Sequence, residues 1–139
     1  MFSLLIQNST FKIHNFIKFS LRLSKPIHFV KRCGINYNIR VHTVNTKVFA
    51  TMINTDATDY RYAYKAELKE FKLPDEIAQR CIRLSQDIGL TFAGIDLMIT
   101  PNNQVFCLEV NPSPAFSYYE AHTKQPIAQS VACYLAYGN

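Results

Sequence analysis

Residues 94 to 114 read GIDLMITPNNQVFCLEVNPSP, two apolar stretches separated by Pro-Asn-Asn, which is the pattern of a β-hairpin. What constrains the chain is the presence of two carboxylates and an amide inside it. Side chains of a strand alternate between faces, so Ile95, Leu97 and Ile99 share one side while Gly94, Asp96 and Met98 share the other. The second strand divides into an apolar face of Phe106, Leu108 and Val110 and an opposite face of Val105, Cys107, Glu109 and Asn111. A four-residue loop over 101–104 pairs Thr100 with Val105, which sets Asp96 across from Glu109 and Gly94 across from Asn111. Carboxylates roughly 5 Å apart repel by about 3 kcal/mol at an effective dielectric of ~20. A bound cation compensates, and a donor set made only of oxygen suits Mg²⁺ or Mn²⁺ rather than zinc. The commoner arrangement for a lone Asp and Glu is a solvated sheet face whose acids pair with Lys or Arg; the matched register favours the metal.

The remaining elements follow from the same periodicities. NIRVHTV, then Asn-Thr, then KVFATMI reads as a second hairpin with a two-residue turn, Val44 pairing with Lys47. That register puts Arg40, His42, Phe49 and Thr51 on one face and gives Ile39, Val41, Val48, Ala50 and Met52 to the core. A polar connection containing Arg61 follows. Pro74 then opens a helix through Ile88, with Ile77, Cys81, Leu84 and Ile88 on one stripe and Gly89 as terminator. PSPAFSYYEAHTKQ, rich in Pro and Tyr, is expected to be a loop, and a last helix from Pro126 to about Tyr137 is expected to bury Ile127, Val131 and Leu135. The class is α+β, an antiparallel sheet with flanking helices.

With 139 residues and 48% hydrophobic content, the chain can bury one ordinary core. No apolar run is long enough to span a bilayer, so a membrane partner is not expected. Cys33, Cys81, Cys107 and Cys133 lie far apart without a Cys-x-x-Cys pair, the pattern of reduced thiols in a cytoplasmic setting. Charge is uneven: up to residue 55 there are eight Lys or Arg and no acid, while residues 56–139 hold seven basic and ten acidic residues. Residues 1–25 form a basic N-terminal segment distinct from a domain over 26–139. Their Ser content and lack of acids fit a mitochondrial presequence, the alternative localisation, but Arg22 is their only arginine. Nucleic acid is disfavoured as a partner, because no basic run is clustered and the aromatics sit in apolar stretches.

The segments RVHTVNTKVFAT, DATDYRYA, LPDEIA, GLTFAGIDLMIT and EVNPSPAFSYYEAHTKQPIA, within residues 26–138, together resemble the C-terminal half of a RimK-type ATP-grasp ligase. The resemblance covers about four-fifths of the chain. In that family two α+β subdomains grip ATP between them, and the enzyme joins a carboxylate to an amine through an acyl phosphate. It implies ATP and Mg²⁺ (or Mn²⁺) as cofactors, with Asp96, Glu109 and Asn111 as metal ligands and Glu109 able to bridge two ions. It also implies that Arg40 holds the transferring phosphate, with Met98 and Leu108 as further nucleotide contacts, and that Arg61 touches phosphate or substrate. Glu120 and His122 follow the metal strand, where acceptor recognition would lie. An Arg on the open face of the sheet is expected to leave the thermal midpoint nearly unchanged when replaced by Ala.

The sequence also departs from the family pattern. The glycines are Gly34, Gly89, Gly94 and Gly138, so no Gly-rich phosphate loop is present, and Val30-Lys31 stands where an adenine-binding Gln-Glu pair is expected. These departures imply a missing upstream subdomain and leave three readings. The chain is the catalytic subdomain of a ligase, a non-catalytic remnant or regulatory module, or a fragment that needs a partner chain or a second copy.

Overall fold

The computed structural model describes residues 37–54 and 67–138. Strand β1 (Tyr37–Val44) turns at Asn45-Thr46 into β2 (Lys47–Asn54), and Val44 pairs with Lys47 as expected. Asn45 takes the left-handed conformation (φ 52°), which a short polar side chain tolerates, and its N–H is anchored on the Thr91 carbonyl at 2.7 Å. After β3 (Glu67–Glu70) come helix α1 (Asp75–Asp87), strands β4 (Phe92–Ile99) and β5 (Val105–Asn111), and helices α2 (Ser117–Thr123) and α3 (Ile127–Tyr137). The five strands are antiparallel neighbours in the order β3-β2-β1-β4-β5.

Helix α1 packs across β1, β2 and β4. Asp75 and Glu76 complement the dipole of its first turn, and Gly89 ends it in the left-handed region (φ 75°). Its Ile77 and Cys81 join Ile39, Val41, Ala50, Ala93, Ile95, Leu97, Ile99, Val105 and Val110 in one core, with Val48 and Met52 packed at its edge. A buried hydroxyl pair, Thr43 Oγ1 to Ser85 Oγ at 2.8 Å, ties the helix to the sheet. The odd-numbered residues of β1 face this core. The even-numbered ones face α2 and α3 on the other side, where Thr51 lies against Gln125 and His42 against the Ala115 carbonyl.

Several elements differ from the sequence expectation. The hairpin loop is one residue longer than expected: Ile99, not Thr100, pairs with Val105, and a bulge falls at Leu108 between the Leu97–Cys107 and Asp96–Glu109 pairs. The bulge reverses the parity of β5. Val105 and Cys107 therefore point into the core and Phe106 sits opposite Met98, whereas Leu108 is the 47% exposed extra residue. The stretch expected to be a loop contains α2, whose seven residues hold neither Pro nor Gly and bury Tyr119. The polar connection contains β3, which pairs with β2. Ile88 is exposed because it lies past the last helical turn of α1. Helix α3 buries Ile127 and Ser130 in its first turn, and Leu135, two turns on, is 79% exposed. Cys81, Cys107 and Cys133 carry free thiols, and burial pushes Cys81 up to about 12 and Cys107 to about 11. Residues 1–36 and 55–66, with Arg61, lie outside the described residues.

Candidate functional site

Cross-strand pairing lays two rows of side chains across the α2 side of the sheet. Thr51, Arg40, Asp96 and Glu109 are successive partners on β2, β1, β4 and β5. The next row is Phe49, His42, Gly94 and Asn111. Adjacent strands are about 4.8 Å apart, so Arg40, Asp96 and Glu109 form a line with the cation at one end. Asp96 and Glu109 face each other as expected, but by a different route: the observed Ile99–Val105 register alone would set Asp96 across from Leu108, and the bulge at Leu108 restores the pairing with Glu109.

Arg40 points to the same side as Asp96, and the two form an ion pair, Nε to Oδ1 at 2.8 Å. Their side chains are only 13% and 14% exposed. The expectation that Arg40→Ala leaves stability untouched is therefore corrected, because truncation takes a cation away from a largely buried carboxylate. The acid that neutralises Arg40 is the same one that the sequence reading expected to be a metal ligand. Arg40 Cζ also lies 5.5 Å from the centroid of the Tyr119 ring.

Beside Arg40, His42 is fully buried between Phe92 (6.4 Å, stacked) and Tyr119 (5.2 Å). Burial, and secondarily the charge of Arg40, push its pKa down to about 4 against the opposing contact with the Ala115 carbonyl, so the ring is neutral at pH 7. Nε2–H donates to that carbonyl at 3.3 Å in the matching tautomer. The loop after β5 is shaped by Asn111, whose Oδ1 accepts the Ser113 N–H at 2.9 Å. That bond fixes the amide and still leaves the oxygen a second lone pair.

The donor chemistry fits a hard cation: two facing carboxylates and a carbonyl oxygen, all on one face. Among the described residues no group of three His, Cys, Asp or Glu offers an alternative metal centre. Met98 shares the face of Asp96, while Leu108 reaches solvent at the bulge. Arg61 falls outside the described residues. Glu120 Oε2 takes the Ala128 N–H (3.1 Å) in the first turn of α3. His122 packs on Tyr118 (4.5 Å) with Nδ1 on the Tyr118 carbonyl (2.8 Å). Tyr119 and Gly94 were missed from the sequence. The only signal for Gly94 was its register opposite Asn111, and Tyr119 carried none.

Gly94 is the point of closest approach. A Cβ there would lie 2.6 Å from Pro114 Cβ and 2.9 Å from Arg40 Nη1. Gly94→Ala should therefore cost about 1–3 kcal/mol by overpacking and displace the guanidinium. Urea unfolding together with the Arg40 Nε–Hε resonance checks this, and an unmoved resonance at unchanged stability would refute it.

A sequence model of the RimK-like ATP-grasp domain matches residues 26–135. The chain belongs to the RimK-like ATP-grasp family. Two Haemophilus influenzae proteins (strains PittEE and 86-028NP), each named probable alpha-L-glutamate ligase, are 32% identical over 110 residues. The match covers 77% of this chain and 36% of theirs, so this RimK-like chain spans about a third of those relatives. Among solved structures, the macrocyclase MdnC bound with precursor peptide MdnA, from Microcystis aeruginosa, is 27% identical with a TM-score of 0.63 over 72% of this chain and 33% of its own. The ATP-grasp ligase PsnB, complexed with a phosphomimetic variant of its minimal precursor, Mg and ADP, is 25% identical with a TM-score of 0.60, covering 73% of this chain and 32% of PsnB. The α+β fold is thus that of an ATP-grasp C-terminal subdomain. Among the described residues no helix is long and apolar enough to cross a membrane.

Proposed function

We propose that this RimK-like chain supplies the metal- and phosphate-binding subdomain of a ligase that joins a carboxylate to an amine through an acyl phosphate. The observation that carries this reading is the row Arg40–Asp96–Glu109, in which a cation and two facing carboxylates share one face of the sheet with Asn111. Asp96, Glu109 and Asn111 would hold Mg²⁺ or Mn²⁺, which supplies neutralisation of the charge on nucleotide phosphates. Arg40 would contact the transferring phosphate, since a fixed guanidinium stabilises charge on phosphoryl oxygens. Met98 and Leu108 would touch the nucleotide, and Arg61 is assigned to phosphate or substrate by resemblance alone. The relatives' names point to amino-acid or peptide substrates, and the free thiols accord with a cytoplasmic setting. A non-catalytic remnant that keeps the fold is the second reading. It is favoured by the Arg40–Asp96 ion pair, which balances one carboxylate without any metal.

Titrating Mn²⁺ into the protein while observing amide resonances tests the metal assignment. Paramagnetic broadening is expected first at Gly94, Asp96, Glu109 and Asn111. Broadening confined to Glu67, Glu70, Asp75 and Glu76 would place the cation on the surface acids and sink the proposal.

A further inference from the structure

An arginine on a strand face normally spends its long side chain among many rotamers, and each is lost on binding a phosphate. Arg40 is instead held on three sides. Asp96 Oδ1 lies 2.8 Å from its Nε as an ion pair, the Tyr119 ring lies under Cζ at 5.5 Å, and a Cβ at Gly94 would come within 2.9 Å of Nη1. Tyr119 is itself fixed. It is buried, its ring lies 5.2 Å from His42 and 5.7 Å from Tyr118, and its carbonyl accepts the Thr123 hydroxyl at 2.9 Å. Helix α2 is tied in turn to α3 through Glu120 and the Ala128 N–H.

Two of these three holds differ in kind. Asp96 is also a proposed metal ligand, so its carboxylate is not reserved for Arg40, whereas an aromatic face has no competing duty. We propose that Tyr119 is the positioning residue for Arg40, its ring keeping the guanidinium aimed along the Asp96–Glu109 row so that a phosphate meets an already oriented cation. This rests on the reading of Arg40 as the phosphate ligand. Pre-organisation of this kind raises affinity for the phosphate-bearing ligand without touching metal affinity.

The test compares Mg²⁺-ATP binding by the whole chain and its Tyr119→Leu, Tyr119→Phe and Arg40→Ala variants, with Mn²⁺ alone as a second titrant. Tyr119→Leu should weaken Mg²⁺-ATP by roughly three- to tenfold and leave Mn²⁺ affinity unchanged, and Tyr119→Phe should restore the loss because it keeps the ring face. Unchanged Mg²⁺-ATP affinity in Tyr119→Leu, beside a clear loss in Arg40→Ala, would overturn the positioning role and spare that of Arg40. An equal loss of Mn²⁺ affinity would mark Tyr119 as structural only. If Arg40→Ala binds Mg²⁺-ATP normally, the phosphate reading falls and the role of Tyr119 falls with it. The unaltered protein gives an arm that needs neither a folded variant nor measurable nucleotide binding, the heteronuclear NOE of Arg40 Nε–Hε. A value matching the β1 backbone supports the seat, and that of a freely moving side chain overturns it.

Discussion

Asp96→Ala should lower the stability of the metal-free protein by about 2–3 kcal/mol and abolish its Mn²⁺ binding, two losses from one carboxylate. The stability loss follows from the ion pair: Arg40 Nε lies 2.8 Å from Asp96 Oδ1 and both side chains are about seven-eighths covered. Breaking a buried pair by removing one partner costs about 3–5 kcal/mol, and the residual exposure here lowers that figure. Replacing both partners with apolar groups of similar size is commonly near neutral, so Arg40→Met with Asp96→Leu should recover most of the stability but none of the metal binding. Urea unfolding of the two single variants and the double one, with Mn²⁺ titration of each, decides between the contributions. A stability within half a kcal/mol of the parent for Asp96→Ala would show that solvent screens the pair, and Mn²⁺ binding retained by that variant would remove Asp96 from the site.

The two answers to the repulsion between Asp96 and Glu109 are therefore not exclusive. Arg40 balances Asp96 in the metal-free protein, and the same carboxylate has the oxygen chemistry a divalent cation needs. A cation entering the row has to share Asp96 with a guanidinium already in place. The stability of the metal-free protein and the ligation of a cation thereby draw on one carboxylate, which is why the double variant separates stability from ligation.

The parts of this arrangement that were legible in the sequence are the ones that period-two alternation governs. The β1–β2 hairpin followed from strict alternation around Asn45-Thr46, and its register was borne out pair by pair from Ile39 to Lys47. The Asp96–Glu109 pairing was also borne out, but for an incomplete reason. The expected loop was a residue too short, and the bulge at Leu108 cancelled the error, because the distal part of β5 presents two alternative apolar sets, Val105 with Cys107 and Phe106 with Leu108. A bulge leaves no periodic signal when either parity is hydrophobic. Strand β3 was not legible, since Glu-Leu-Lys-Glu is charged at three of four positions and owes its strand to pairing with β2. Helix α2 was hidden by the prolines before it and by its tyrosines, which favour helix only once Tyr119 finds Arg40 and His42 beneath it. Such contacts join residues nearly eighty positions apart, and no local pattern encodes them.

His42 gives the second large effect, an acid-driven loss of stability with a window set by its own titration. Its ring is fully buried beside Phe92, Tyr119 and the Arg40 guanidinium, and burial, followed by that neighbouring charge, lowers its pKa from 6.5 to about 4. The fold accepts the neutral ring and resists the charged one. Because the folded value lies below the unfolded one, the contribution is fully present above pH ~6.5 and is lost as pH falls from there toward about 4, below which no more is lost. A separation of that size corresponds to about 3 kcal/mol. Carboxylates begin to titrate at the lower end of the same range, so the measurement is a difference. Urea midpoints between pH 7.5 and 4 should fall more steeply for the parent than for His42→Phe, whose ring can occupy the same aromatic stack and carries no proton. His42→Phe sacrifices the 3.3 Å contact with the Ala115 carbonyl and should start less stable at pH 7.5 by about 1 kcal/mol, so the two curves are expected to cross on acidification. Parallel curves across the whole range would show that the imidazole takes up its proton without disturbing the packing of Tyr119, and that the aromatic seat beside Arg40 is more open to water than its burial implies.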